Sequence, residues 1–416
     1  MPPYRRSSLA GACVAITSLF YIYWLLLLRP AASDEQMTRL YRPPPPADGD
    51  RDDVLNSTLG FAQIFVINLP SRPDRRAAMS RAAAATNLSV TWRAGLAGAQ
   101  VEDLPGLRSA GARGSWRAHM DAVVAAAAAA GASASTLIME DDVDWDVRLR
   151  GQLADFAGAS RAWLLQQRTA SSAPALERYH HTNDDDDEDS IYGAGWDVLW
   201  LGHCGTDLPA RDKKKEKGEE KGEVVIALPN DATVPAPRHL RPHPFALRDE
   251  PWGGAPHPHT RLVLAARGTA CSLAYAVSGR GARRIAAAFD NHKGEAKEEE
   301  KRYYQWDLML RDWCQGMGKE EEEEQPPPVC ITVQPPLVSH YYAGAGGGGG
   351  SGGGGSDIRG QGGGYARGAA GSAYVRLSVR RNLERLEAAA AGGEWVPERE
   401  RELVDQWPDE GGETPW

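Results

Sequence analysis

Short apolar runs rich in β-branched and aromatic residues alternate along this chain with alanine-rich stretches, and no other feature narrows the fold as far. Residues 61–69 read as a strand and 74–85 as a helix. Residues 90–93 suit a second strand, 116–130 a helix, 136–139 a strand and 149–167 a helix. Strands at 198–201 and 273–277 and a helix at 281–289 follow. Alternation of this kind predicts an α/β sandwich with a mainly parallel sheet. The chain has 416 residues, enough for one large domain plus appendages, and 42% of them are hydrophobic, enough for a sizeable core.

The run Leu137-Ile138-Met139 ends abruptly in Glu140, Asp141, Asp142 and Asp144. These acids sit where a buried strand would emerge from a core. Adjacent carboxylates repel, so crowding them there is unfavourable unless something positive lies between them. A hard divalent cation carrying a phosphate ester fits that need. An acidic turn open to water is the alternative.

The first strand is followed by Pro70-Ser71-Arg72-Pro73-Asp74-Arg75-Arg76. Strand, basic loop and helix in that order suit recognition of phosphate or carboxylate, because each arginine offers a planar fork of donors. The alternative is a helix capped by Ser71 or Asp74 with solvated arginines. The net charge of −9 comes largely from low-complexity acidic runs. No basic stripe is interleaved with aromatics, which argues against a nucleic-acid partner.

Val66-Ile67-Asn68-Leu69, with Arg72, Asp74 and Arg75 after it, resembles the opening of glycosyltransferase family 25, the lipopolysaccharide-type and procollagen galactosyltransferases. Gly114-Ser115-Trp116-Arg117-Ala118-His119 resembles the family's Gly-x-x-x-Ser-His segment, with Ala118 where serine is usual and no cysteine near 115. Glu140-Asp141-Asp142 matches its Glu-Asp-Asp motif. Trp196-Asp197-Val198-Leu199-Trp200-Leu201-Gly202 resembles a strand ending in Leu-Gly. Ala274-Tyr275-Ala276-Val277-Ser278, then Gly281-Ala282, resembles a further segment, and Asp307 and Ser356-Asp357-Ile358 have counterparts. The matches keep the family's order, with long inserts between them.

The resemblance implies a GT-A-type nucleotide-sugar-binding sandwich. It also implies inverting transfer of galactose or glucose from a UDP-sugar donor to a glycan or glycoprotein acceptor. Manganese or another divalent cation would neutralise the leaving diphosphate, with Asp142 as first ligand and Glu140 next. Asp141 would orient the ribose or sugar. Asn68, Arg72 and Arg75 would face the donor, and His119 would bond it or cap a buried network. Asp307 would be the base that takes the acceptor's proton, or else the N-cap of a helix over 308–313. His340 would supply a late metal ligand, and Asp144, outside the family pattern, would face solvent. A non-catalytic lumenal module that binds glycans or partners on the same fold is the alternative to an enzyme. A metal-dependent hydrolase lacks a supporting histidine pair.

Residues 9–28 are apolar apart from Thr17 and Ser18. Twenty helical residues span about 30 Å, the thickness of a hydrocarbon core. With Arg5 and Arg6 before the run, residues 1–28 read as a cytosolic tail and uncleaved signal anchor. A cleaved signal peptide is the rival. Residues 29–60 form a proline-rich stem. Asn56-Ser57-Thr58 and Asn87-Leu88-Ser89 are glycosylation triplets that support a lumenal body, hence a single-pass type II protein of the Golgi or endoplasmic reticulum. Cys204, Cys271, Cys314 and Cys330 follow no zinc spacing. One or two disulfides or four buried thiols fit them equally.

The catalytic domain spans 61–358, with low-complexity inserts at 184–189, 212–223, 293–301, 319–328 and 344–356. A tail over 359–416 carries an amphipathic helical pattern at Val375, Leu377, Val379, Leu383 and Leu386, expected to pack on the body or a partner.

Overall fold

A computed structural model describes residues 54–102, 106–107, 109–129, 134–170, 190–209, 223–246, 258–290, 305–317, 326–342, 370–391 and 397–411. The expected anchor and most of the stem lie outside these residues, as do the inserts apart from Glu223 and residues 326–328. Ser356-Asp357-Ile358 lies outside them as well. No helix among the described residues is long and apolar enough to cross a membrane.

The strands and helices alternate as the apolar pattern requires. They run β1 (Gln63–Asn68), α1 (Pro73–Ala85), β2 (Thr91–Ala94), α2 (Ala110–Ala128), β3 (Thr136–Glu140), β4 (Val143–Trp145) and α3 (Leu149–Ala170). Then come β5 (Val198–Gly202), β6 (Val225–Leu228), β7 (Arg261–Ala265), β8 (Ala274–Val277), α4 (Gly279–Asp290) and α5 (Trp306–Cys314). The last are β9 (Cys330–Gln334), β10 (Val338–Tyr342), β11 (Gly371–Ser372) and α6 (Leu383–Ala391).

The main path of the sheet is β2-β1-β3-β8-β5-β9-β7-β6. Strands β2, β1, β3, β5, β9 and β6 share one direction, and β8 and β7 oppose it. The sheet is therefore mixed, with most strands pointing one way. Successive side chains leave a strand on opposite faces, so each central strand feeds two cores. Val66, Met139 and Leu199 pack with Met79 of α1 and Phe156 of α3. Phe65, Ile138 and Trp200 pack with Trp116 of α2, Ile285 of α4 and Met309 of α5. Burial on both faces explains why these strands read as continuous apolar runs.

Two registers build the site. Strand β1 lies between β2 and β3, with Ile67 opposite Glu140. That brings the end of β1 beside the acids. Strand β10 joins β5 in parallel at Val338 and runs antiparallel to β4, pairing His340 with Val143.

The domain limits differ from expectation at both ends. Val54 and Leu59, assigned to the stem, are fully buried in the main core, so the body begins before residue 61. Val375, Leu377 and Val379 recur at every second position, which is a strand's period. They lie outside any helix and are buried; of the five positions, Leu383 and Leu386 alone are helical, in α6. Val147 N–H donates to Leu377 O at 2.9 Å and Val379 N–H to Trp145 O at 3.0 Å, so this segment is laced to β4 and the turn after it. The tail is thus part of the body.

Four of the five cysteines form two disulfides, Cys204–Cys271 and Cys314–Cys330, and Cys13 lies outside the described residues.

Candidate functional site

A cavity of about 650 Å³ opens where β1 and β3 end, walled by Arg75, Glu140, Asp141, Asp142, Asp307 and His340 among others. The size suits a small molecule, and ligands of open α/β sheets bind beyond the carboxyl ends of strands.

Helix α1 starts with Pro73 in its first turn, where the missing N–H costs nothing. Arg75 in that turn meets both acids: its Nη1 is 3.2 Å from Asp141 Oδ1 and 2.8 Å from Asp142 Oδ2. The positive group between the carboxylates is therefore a guanidinium of the chain itself. Asn68, buried at the end of β1, donates from Nδ2 to Asp141 Oδ2 at 2.6 Å and to Arg72 O at 3.1 Å. Arg72 itself pairs with Asp74 at 2.8 Å and does not line the cavity.

The two neighbouring acids are pushed apart in proton affinity. Burial, together with the charge of Asp142, raises Asp141 to about 6, against the pull of Asn68 and Arg75. Burial would raise Asp142 too, but His340 and Arg75 hold it well below the usual carboxylate range. His340 Nε2 lies 3.1 Å from Asp142 Oδ2. Asp142 Oδ1 is buried with no hydrogen-bond partner, as is His340 Nδ1. A carboxylate oxygen left without a partner beside an imidazole is a donor set that suits a divalent cation. Among the described residues no group of three His, Cys, Asp or Glu side chains is arranged to hold a metal.

Glu140 stands with a second set. Its Oε1 accepts from Ser272 Oγ at 3.3 Å and lies 3.6 Å from His119 Nε2. His119 is buried, 3.1 Å by Nδ1 from the Tyr275 hydroxyl, and its ring stacks on Trp306 at 5.5 Å. Gly114, one turn earlier on α2, lies so close to the preceding loop that a Cβ would meet Leu96 O at 2.6 Å. That glycine lets α2 approach, which brings His119 to the cavity wall.

Asp307 is in the first turn of α5, whose N-cap position is Gln305, so it is not the cap. Its Oδ2 instead accepts the Cys271 N–H at 2.7 Å. Both Cys271 and its disulfide partner Cys204 line the cavity. The Ser278 and Gly281 positions serve the fold: Ser278 Oγ accepts from Gly281 N–H at 2.9 Å, and a Cβ on Gly281 would strike Asp197 O at 2.1 Å.

Asp144 does not face solvent. It is fully buried, and its carboxylate accepts from Ser372 Oγ at 2.5 Å, Ser378 Oγ, Trp145 N at 2.9 Å and Arg380 N at 3.1 Å. The antiparallel pairing of β4 with β10 turns this side chain inward. Burial pushes its pKa up, against the pull of the two serines. Ser272, Tyr275, Arg380 and the Cys271 amide are contributors that sequence reasoning did not single out for this site. Tyr275 carried a signal, as part of a family-like segment; the others carried none.

No protein-family model matches the chain, and no curated protein matches it.

Proposed function

We propose that this chain is a GT-A-type glycosyltransferase, family 25-like, that transfers galactose or glucose from a UDP-sugar to a glycan or glycoprotein acceptor with inversion. One observation carries the reading. Asp141 and Asp142 form the turn directly after the central strand β3, in a cavity wall beside Arg75 and His340, with Asp142 Oδ1 unpaired.

Asp142 and His340 would hold a divalent cation, Mn²⁺ by preference, with the donor's diphosphate completing its shell. When bound, such an ion stabilises negative charge growing on the leaving nucleoside diphosphate. Arg75 can exchange a carboxylate for a phosphate oxygen, since its fork suits both. Asp141, steadied by Asn68, orients a ribose or sugar hydroxyl. Glu140 and His119 bound the donor side. Arg72 is given no donor contact because Asp74 engages it. Asp307 takes the acceptor's proton, and the Cys271 N–H fixes the carboxylate for that role.

The two disulfides favour an oxidising compartment. Asn56 and Asn87 are both exposed, as glycosylation requires. These points support a lumenal body on a type II anchor in the Golgi or endoplasmic reticulum.

The double ion pair of Arg75 favours a second reading, a non-catalytic glycan- or partner-binding module, because it already neutralises the acids. Incubation of the purified protein with Mn²⁺ and UDP-galactose or UDP-glucose separates the two. UDP release supports the enzyme. If neither donor is bound or hydrolysed, the enzyme reading falls.

A further inference from the structure

Arg380 lies past the glycine-rich stretch, in the segment that sequence alone assigns to a tail. Its side chain reaches the acid turn from behind. Nε donates to Val143 O at 2.7 Å and Nη2 to Asp141 O at 2.7 Å. Its own N–H donates to Asp144 Oδ1 at 3.1 Å, and its guanidinium lies 5.6 Å from the centre of the Tyr341 ring. Tyr341 N–H in turn donates to Asp142 O at 2.9 Å. The backbone of the turn between β3 and β4 is therefore held at successive carbonyls. Two come from one rigid planar fork, and one from the strand that carries His340.

We propose that Arg380 is a positioning residue, and that docking of residues 370–382 completes the site by fixing the backbone of 141–143 so that Asp141 and Asp142 face the cavity. The buried Asp144 is the anchor of this clamp. The hydroxyls of Ser372 and Ser378 converge on it from either end of the same segment. Leu377 N–H bonds Asp146 Oδ2 at 2.9 Å, which fixes the register. The site then forms only once the last part of the chain has docked. A lysine could keep the charge at 380, but it cannot span two carbonyls with a planar fork. The consequence for donor binding rests on the transferase reading; the clamp itself does not.

The test compares Arg380→Lys with Arg376→Ala in the full-length chain, purified in mild detergent. Arg376 is in the same segment, but it pairs with Asp405 and Asp409, away from the turn. Backbone hydrogen exchange is read over residues 139–145 and over 198–202 as a reference. The clamp predicts at least tenfold faster exchange at 139–145 in Arg380→Lys only, with 198–202 unchanged. It also predicts at least tenfold weaker Mn²⁺-dependent UDP binding in that variant and near-native binding in Arg376→Ala. Unchanged exchange at 139–145, an equal rise everywhere, or the same local rise in Arg376→Ala would overturn it. If Arg380→Lys does not fold, Tyr341→Leu takes its place. Loss of the ring face under the guanidinium must then raise exchange at 139–145 at least threefold, and no change refutes the clamp. A wild-type protein that binds no UDP overturns the transferase reading, while exchange still judges the clamp.

Discussion

His340 Nε2 lies 3.1 Å from Asp142 Oδ2, although 198 residues separate them in sequence. Strand β10, running antiparallel to β4, delivers the imidazole to the carboxylate. One Asp142 oxygen is left unpaired beside this contact, and under the proposed function the two side chains would hold a cation between them. Asp142→Asn keeps the shape and removes the charge. Metal-dependent UDP binding should weaken by roughly a hundredfold or more, as loss of a ligand to the ion implies. Calorimetry with and without Mn²⁺ measures this, and native affinity in the variant would refute Asp142 as a ligand.

Asp307 predicts a different signature. Asp307→Asn retains an oxygen for the Cys271 N–H but cannot take a proton. We expect kcat to fall roughly 10²–10⁴-fold, the usual range for a lost general base. UDP affinity should stay within about threefold, because the proposed function assigns the leaving group to Asp142 and Arg75 and not to Asp307. Single-turnover kinetics with calorimetry check both parts, and a variant with native kcat removes Asp307 from the reaction.

Asp144 should govern stability. Asp144→Ala leaves two serine hydroxyls and two backbone N–H groups without their buried acceptor. The expected cost is about 3–5 kcal/mol, and Asp144→Asn should cost less because one oxygen remains. Urea unfolding followed by tryptophan fluorescence reads the difference. A solvent-facing acid would change stability by under about 0.5 kcal/mol.

His203 gives a pH dependence. It is fully buried with Nε2 3.0 Å from Val333 O, and burial lowers its pKa from 6.5 to about 4. The unfolded chain binds that proton at higher pH than the folded one does. The stability is therefore present above about pH 6.5 and drains as pH falls toward 4, by roughly 3 kcal/mol. His203→Gln should flatten that slope relative to the native chain. Parallel slopes in urea titrations from pH 7.5 to 4 would exclude His203 as the cause.

The disulfides separate stability from chemistry. Cys204–Cys271 closes a span of 67 residues and Cys314–Cys330 one of 16. Chain-entropy arguments assign them about 4 and 3 kcal/mol. Only the first carries the amide that holds Asp307. Cys204→Ser with Cys271→Ser should thus reduce kcat beyond its effect on folding, with UDP affinity kept. Equal kcat losses from removing either bridge would contradict that assignment.

Much of the architecture was readable from local pattern. The strand at 136–139 and its acids, the first strand with its basic loop, and the helices at 74–85 and 281–289 all fall where the apolar spacing expects them. Each depends on side chains a few residues apart, which sequence displays directly. Val375, Leu377 and Val379 keep a strand's two-residue period, and the helical spacing begins only with Leu383 and Leu386. The burial of Asp144 is not legible locally, because exposure depends on which strand covers it, and β10 and residues 370–380 arrive from far along the chain.

The sequence by itself determined the alternating elements, the cluster of acids at a strand end and the arginine that follows the first strand. These are properties of neighbouring residues and of the burial they demand. Tertiary structure alone decided that Arg75 bridges Asp141 and Asp142, that His340 joins Asp142, that Cys271 holds Asp307 and that Arg380 grips the turn. Strand register and segment docking set those contacts between residues 36 to 239 positions apart, and no local pattern encodes them.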